Sequence, residues 1–166
     1  MSPMRGWALW RLNPLQSLAL ALALVVFLAD QASKHWVSQH LIGGLERPLV
    51  PGLFRLQLVT NTGAAFSLFS GSTRLLGVVS LLVAVGMLLW ILSRNPAGRA
   101  QALAAGLLLG GAAGNGLDRW RLGSVVDFLA FQPMAFPVFN LADVAINLAV
   151  LCYAIALLRP PGARHG

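Results

Sequence analysis

Four separate runs of the chain, residues 14–35, 73–93, 99–118 and 139–158, are long and apolar enough to be read as membrane-spanning helices. Each has the roughly 20 mostly apolar residues that one crossing of a bilayer requires. The first begins with Asn13 and Pro14, a fitting cap and first helical position, and the second is stopped by Asn95, Pro96 and Gly98. Only 10% of the 166 residues are charged and 57% are hydrophobic, against about 25% charged in an ordinary soluble domain. An integral membrane protein follows. No internal repeat or low-complexity linker separates the runs, so residues 1–166 are expected to form a single domain.

Arg5 and Arg11 precede the apolar stretch Leu15 to Ala29 and imitate a secretory signal. Asp30, Gln31 and Lys34 follow it without an A-x-A cleavage site, which points to an uncleaved first helix. The formal charge of +7 comes from basic residues scattered between apolar runs, with no Lys/Arg block. That distribution suits lipid head groups rather than nucleic acid. Cys152 lies inside the last run, has no internal disulfide partner and reads as core filler.

The connection between the first two helices is too long for a plain loop. Its stretch LFRLQLVTNTGAAFSLF alternates Arg55 and Gln57 with Leu56 and Leu58, predicting strands on the membrane surface over about residues 40–70. His35, Trp36 and His40 precede it and suit the interfacial belt better than a metal site.

The chemistry is in the few polar residues. There are five acidic side chains, Asp30, Glu46, Asp118, Asp127 and Asp143, and an ionisable group among acyl chains costs about 2.5–3.5 kcal/mol on insertion scales. On the fourth helix, Asn140, Asp143 and Asn147 are spaced to share one face. On the third, Gly106, Gly110, Gly114 and Asp118 recur every fourth residue, and the glycines permit close approach of another backbone. Asn115 and Arg119 flank that ladder, and Asp30 and Lys34 form an i, i+4 pair at the end of the first helix. Asp118 is read as an ion pair with Arg119. Asp127, between Val126 and Phe128, is expected to dip into the interface at the level of Asp143. Two apposed carboxylates in a low dielectric tend to share one proton and act together as acid and base. The residues alone leave four uses open for Asp127 and Asp143: a catalytic pair, a proton relay with Asp30 and Asp118, an ion site, or structural glue. A zinc peptidase lacks ligands, with no Cys/His cluster and no H-E-x-x-H. Ser67, Ser70 and Ser80 have no evident His partner for a triad, and GLLLGGAAGNG lacks the P-loop lysine and reads as packing.

Five stretches, DQASK (30–34), VTNTGAAFS (59–67), GNGLDR (114–119), VVDF (125–128) and FNLADVAIN (139–147), together resemble the lipoprotein signal peptidases, or signal peptidase II, in order and over nearly the whole chain. The resemblance implies an all-α membrane protein, four transmembrane helices with a small extracytoplasmic β-cradle. It implies an aspartic endopeptidase that removes the signal peptide from diacylglyceryl-modified bacterial prolipoproteins, cutting just before the lipidated cysteine. Asp127 and Asp143 would be the catalytic dyad. Asn61 and Gly63 would contact substrate from the cradle, Asn115, Arg119 and Asn140 would surround the site, and Asp30 and Lys34 would support it. No cofactor or metal is implied. The expected partners are lipidated prolipoproteins and membrane lipids, for a monomer in the bacterial inner membrane with its site near the extracytoplasmic face. A relay or transport protein and a non-catalytic scaffold are the rivals from other classes, and the scaffold leaves the gathering of carboxylates unexplained.

Four spans put both termini on one side. Arg5, Arg11, Arg94, Arg99, Arg159 and Arg164 would then face Lys34, Arg47, Arg55, Arg74, Arg119 and Arg121 across the membrane, an even count. The first group lies in the shorter segments, at higher density near the helix ends, so the termini are expected inside. In a Cys152→Ala background, a membrane-impermeant thiol reagent added outside should label Leu45→Cys and Ser72→Cys but not Ala97→Cys. Labelling at position 97 would reverse the topology.

Overall fold

The computed structural model describes residues 12–63, 71–94 and 96–158. Arg5, Arg11, Asn95, Arg159, Arg164, Ser67, Ser70 and the end of the VTNTGAAFS stretch lie outside the described residues. Four helices, α1 (Pro14–His40), α2 (Thr73–Ser93), α3 (Arg99–Leu122) and α4 (Leu141–Leu158), carry a three-stranded antiparallel sheet in the order β1 (Glu46–Val50), β2 (Phe54–Asn61), β3 (Val125–Phe131).

The first helix opens with a reciprocal cap. The Asn13 side chain accepts from the backbone of Gln16, whose own side chain accepts from the backbone of Asn13. The Gln16 amide also donates to the Ile91 carbonyl at 2.8 Å, tying the start of α1 to the end of α2. At its other end α1 runs past the apolar stretch to His40. There Val37 and Leu41 are buried against Phe128 of β3, so tertiary packing carries the helix beyond its hydropathy.

Three helices, α1, α2 and α4, are long and apolar enough to cross a membrane, with mean hydropathy 1.8, 2.7 and 2.2. The third helix has comparable length but includes Asn115, Asp118 and Arg119, and it tolerates them because α1, α2 and α4 all pack against it. Lipid instead meets side chains such as Leu75, Leu82 and Leu89 of α2, which are more than half exposed. The glycines of α3 allow this central position. A Cβ at Gly106 or Gly110 would stand 2.5 or 2.6 Å from the Ala19 or Ala23 carbonyl of α1, and one at Gly111 would stand 2.7 Å from the Ala142 carbonyl of α4. At Gly114 the obstacle is the Asp30 carboxylate, 2.5 Å away. The ladder is thus an interface for two helices at once.

The third strand was not evident from its sequence, because VVDFLAF is buried on both faces and lacks alternation. One face packs Phe128 on α1, and the other carries Asp127. The link to α4 is short and fastened: the Phe139 carbonyl accepts from the backbone of Phe128 and Leu129 at 2.9 and 2.8 Å, and the Phe139 N–H donates to Leu129 at 3.1 Å.

Gly110→Ala should lower the melting temperature in detergent by an amount corresponding to about 1–3 kcal/mol, the usual cost of forcing a methyl into a packed core. Gly86→Ala on α2, where an added Cβ meets nothing within 4 Å, should be neutral or mildly stabilising. Equal effects at the two positions would contradict the packing.

Candidate active site

The first turn of α4 is a capping box. Asn140 stands before the helix and its side-chain oxygen accepts the Asp143 N–H at 2.9 Å, while Asp143 accepts the Asn140 N–H at 3.2 Å. Asp143 is therefore held by the helix start itself, and it receives a second bond from the Asn115 amide at 2.8 Å.

Asp127 comes from β3, where it pairs with Val59 of β2. Asn61 lies two residues further along β2 on the same face, and its amide donates to Asp127 at 3.0 Å across the diagonal. The other carboxylate oxygen accepts from the side chain of Asn140 at 2.7 Å. Asn140 thus bonds both carboxylates, Asp143 through its backbone and Asp127 through its amide. That single residue brings the strand and the helix to one site.

Behind the two aspartates lies a buried polar cluster. Asn115 accepts from Asn140 at 3.1 Å and from the Lys34 ammonium at 2.9 Å. Lys34 is 3% exposed and pairs with Asp30 at 2.8 Å and with Asp118 at 2.9 Å. The pairing of Asp118 with Arg119 expected from the sequence is corrected here. Successive residues on a helix do not face each other, and Asp118 points to α1 while Arg119 turns to the cavity. Gln31, which sequence reasoning noted only as following the first apolar run, donates to both Asp30 and Asp118, at 3.2 and 3.1 Å. Its place one residue after an acidic member of the cluster was the available signal.

Arg119 donates to the Gly63 carbonyl at 3.1 Å and to the Asn115 carbonyl at 3.4 Å, and its buried Nε has no partner among the described residues. Asn61 accepts the Gly63 N–H at 2.9 Å, a local turn at the end of β2 that sets the Gly63 carbonyl beside Arg119. The side chains of Asn61, Asn115, Arg119, Asp127 and Asp143 all line a cavity of about 800 Å³. Apart from Ser80 and Asn147 its remaining walls are apolar, among them Val79 and Val83 of α2, Leu108 and Ala112 of α3, and Val144, Leu148 and Leu151 of α4. Asn140, Gly63, Asp30 and Lys34 are not among the lining residues. Asn147, read as part of an inward stripe, is exposed and bonds the Asp143 carbonyl at 2.8 Å while lining the cavity's side. No cluster of three or more His, Cys, Asp or Glu side chains is placed to hold a metal ion among the described residues.

A membrane bundle with two bridged carboxylates at one end, opening on an apolar cavity, defines a polytopic protein built around an acidic pair. The chain belongs to the family described as Signal peptidase (SPase) II, whose profile matches residues 22–159. It is 51% identical over 148 residues to the lipoprotein signal peptidase of Parasynechococcus marenigrum (strain WH8102), covering 89% of this chain and 93% of that protein. It is 55% identical over 135 residues to the one from Synechococcus sp. (strain RCC307), covering 81% and 89%. Among solved structures it is similar to a bacterial membrane enzyme determined by the in meso method at 2.3 Å, with a TM-score of 0.81 and 25% identity over 90% of this chain and 92% of that one.

The two aspartates sit differently in the fold, Asp127 2% exposed and Asp143 half-buried. Burial pushes the Asp127 carboxyl up to about 6, the Asn61 amide opposes that rise, and the nearby Asp143 charge adds to it. The folded state therefore holds this proton more tightly than the unfolded chain does. Across the window from the ordinary carboxylate range to about 6 the native protein binds more protons, so stability falls as pH rises. The melting temperature in detergent should decline over that interval, and Asp127→Asn should flatten the decline. A variant that keeps the full wild-type slope would show that Asp127 does not carry it.

Proposed function

We propose that this chain is a membrane aspartic endopeptidase that removes the signal peptide from diacylglyceryl-modified prolipoproteins, cutting just before the lipidated cysteine, with Asp127 and Asp143 as the catalytic dyad. The bridging of both carboxylates by Asn140 carries this reading, because it holds two acids from different elements at one mouth of an apolar cavity. Family membership and the similarity to proteins named lipoprotein signal peptidase support the substrate class.

In this reading the dyad shares one proton. Asp127, whose burial favours the protonated form, donates it to the scissile carbonyl oxygen, while Asp143 takes a proton from water as the water oxygen attacks the carbonyl carbon. The gem-diol then collapses: the C–N bond breaks, and the proton held by Asp143 passes to the leaving nitrogen. The diol hydroxyl built from the carbonyl oxygen returns its proton to Asp127. The products are a signal peptide with a new carboxyl group and a lipidated cysteine with a free amine. Arg119 and Asn61, both at the cavity, position the peptide's carbonyl groups. The apolar walls between α2 and α4 receive the acyl chains and the signal helix. The protein works as a single-domain monomer of the inner membrane, with the sheet and the dyad near the extracytoplasmic face.

Purified protein should shorten a lipidated preprotein, and cut the same preprotein without its diacylglyceryl group far more slowly, because anchoring supplies effective concentration at membrane depth. Asp127→Asn and Asp143→Asn should each lower turnover per folded molecule by about 10²- to 10⁴-fold, the range for loss of a general acid or base. Near wild-type turnover in either variant would exclude the dyad.

A further inference from the structure

The two aspartates of the proposed dyad are each preceded by a residue whose backbone N–H is taken by a carboxylate of the cluster behind the site. The N–H of Val126, one residue before Asp127, donates to Asp118 at 3.2 Å. The N–H of Ala142, one residue before Asp143, donates to Asp30 at 3.0 Å. Asp118 belongs to α3 and Asp30 to α1, and neither lines the cavity.

These two carboxylates are not independent. Lys34 bonds Asp30 at 2.8 Å and Asp118 at 2.9 Å, and the Gln31 amide spans the same two side chains at 3.2 and 3.1 Å. A double cross-link from one turn of α1 therefore fixes the separation of Asp30 and Asp118. Through the two N–H bonds it also fixes the separation of β3 from the first turn of α4. Asp30 is fully buried, and Lys34 and Asp118 are each 3% exposed, so water offers little competition for these bonds.

We propose that Asp30, Gln31, Lys34 and Asp118 form a clamp of positioning residues that sets the spacing between Asp127 and Asp143 and hence whether the pair can share a proton across a water. This rests on the dyad reading above and assigns Asp118 and Gln31 a task in catalysis that neither performs by touching substrate. Carboxylates suit the clamp because each offers two oxygens: Asp118 takes Gln31 on one and Lys34 with Val126 on the other, and Asp30 takes Ala142 on one and Lys34 with Gln31 on the other. Asn115 ties the clamp to the site directly, since it accepts from Lys34 at 2.9 Å and donates to Asp143 at 2.8 Å.

Asp118→Asn tests the clamp. It keeps the volume and leaves Lys34 paired with Asp30, so no ion is stranded. The Asn has one oxygen for donors that approach Asp118 on both of its oxygens, Gln31 on one side and Lys34 with Val126 on the other. One side of the clamp must open. With a lipidated preprotein, kcat per folded molecule should fall about 10- to 100-fold, the scale of a misplacement near 1 Å, while KM stays within about twofold because the cavity wall is untouched. Gln31→Met, which removes the second bridge from a half-buried position, should lower kcat in the same sense by a smaller factor. It carries the test by itself if Asp118→Asn does not fold. Asp118→Glu, which restores the charge, should recover part of the loss. Wild-type kcat in the folded variant, or a loss expressed only in KM, would overturn the clamp. Asp127→Asn and Asp143→Asn run alongside. If they are inactive while Asp118→Asn and Gln31→Met turn over normally, the clamp alone fails. If they are active, it is the dyad that fails.

Discussion

Taking an ammonium and a carboxylate out of water costs several kcal/mol per ion, which mutual attraction repays only with excellent geometry and further hydrogen bonds. Lys34, Asp30 and Asp118 meet that condition. The ammonium contacts two carboxylates and the Asn115 oxygen within 2.9 Å, and the carboxylates take the remaining donors from Gln31, Val126 and Ala142. The bonds run from α1 to α3, β3 and the start of α4. Helix association in lipid has no hydrophobic driving force of its own, and at this end of the bundle the ionic cluster joins α1, α3, β3 and the start of α4 through directional bonds.

Close approach of the helices makes the cluster possible. Asp30 reaches the N–H of Ala142 because Gly114 gives it room, with the carboxylate standing where a Cβ would otherwise be. Further along the same helix, Gly106 and Gly110 let the carbonyls of Ala19 and Ala23 come near, while Gly111 does the same for Ala142. A central helix rich in glycine and poor in apolar surface is unstable in lipid by itself. Here it is shielded by three neighbours that are apolar enough to face acyl chains. Asn115, Asp118 and Arg119 are thus carried by the helix that the other three surround.

The helices were legible because spanning a membrane imposes a length and a composition on each of them, and the capping pair Asn13–Pro14 and the glycine ladder marked their ends and contacts. The convergence of Asp127 and Asp143 was legible as a possibility through the rarity of acidic residues and, more specifically, through five motifs in order. What spacing could not supply was direction across the fold. Asp118 and Arg119 are adjacent in the chain and suggest an ion pair, yet they diverge by a helical step, and the partner of Asp118 is eighty-odd residues away on α1. The strand at 125–131 was hidden for a related reason. Alternation reveals a strand only when one face is wet, and this one is covered on both.

The position of the acidic pair follows from the same balance of burial and access. A carboxyl needs a low dielectric to keep a proton near neutral pH, and it needs water within reach to use it. Asp127 lies on β3, an edge strand of the sheet, packed against α1 through Phe128 and bonded by Asn61 and Asn140. Asp143 lies in the first turn of a helix, half-buried and anchored by its own cap. One acid is placed by a sheet that sits at the end of the bundle and the other by a helix that begins there, so both arrive at that end, where the proposed function puts the boundary between lipid and water. A peptide bond adjacent to a membrane-anchored residue is confined to that level. A soluble fold has no reason to hold two aspartates there, whereas a bundle with a sheet at its end does so by construction.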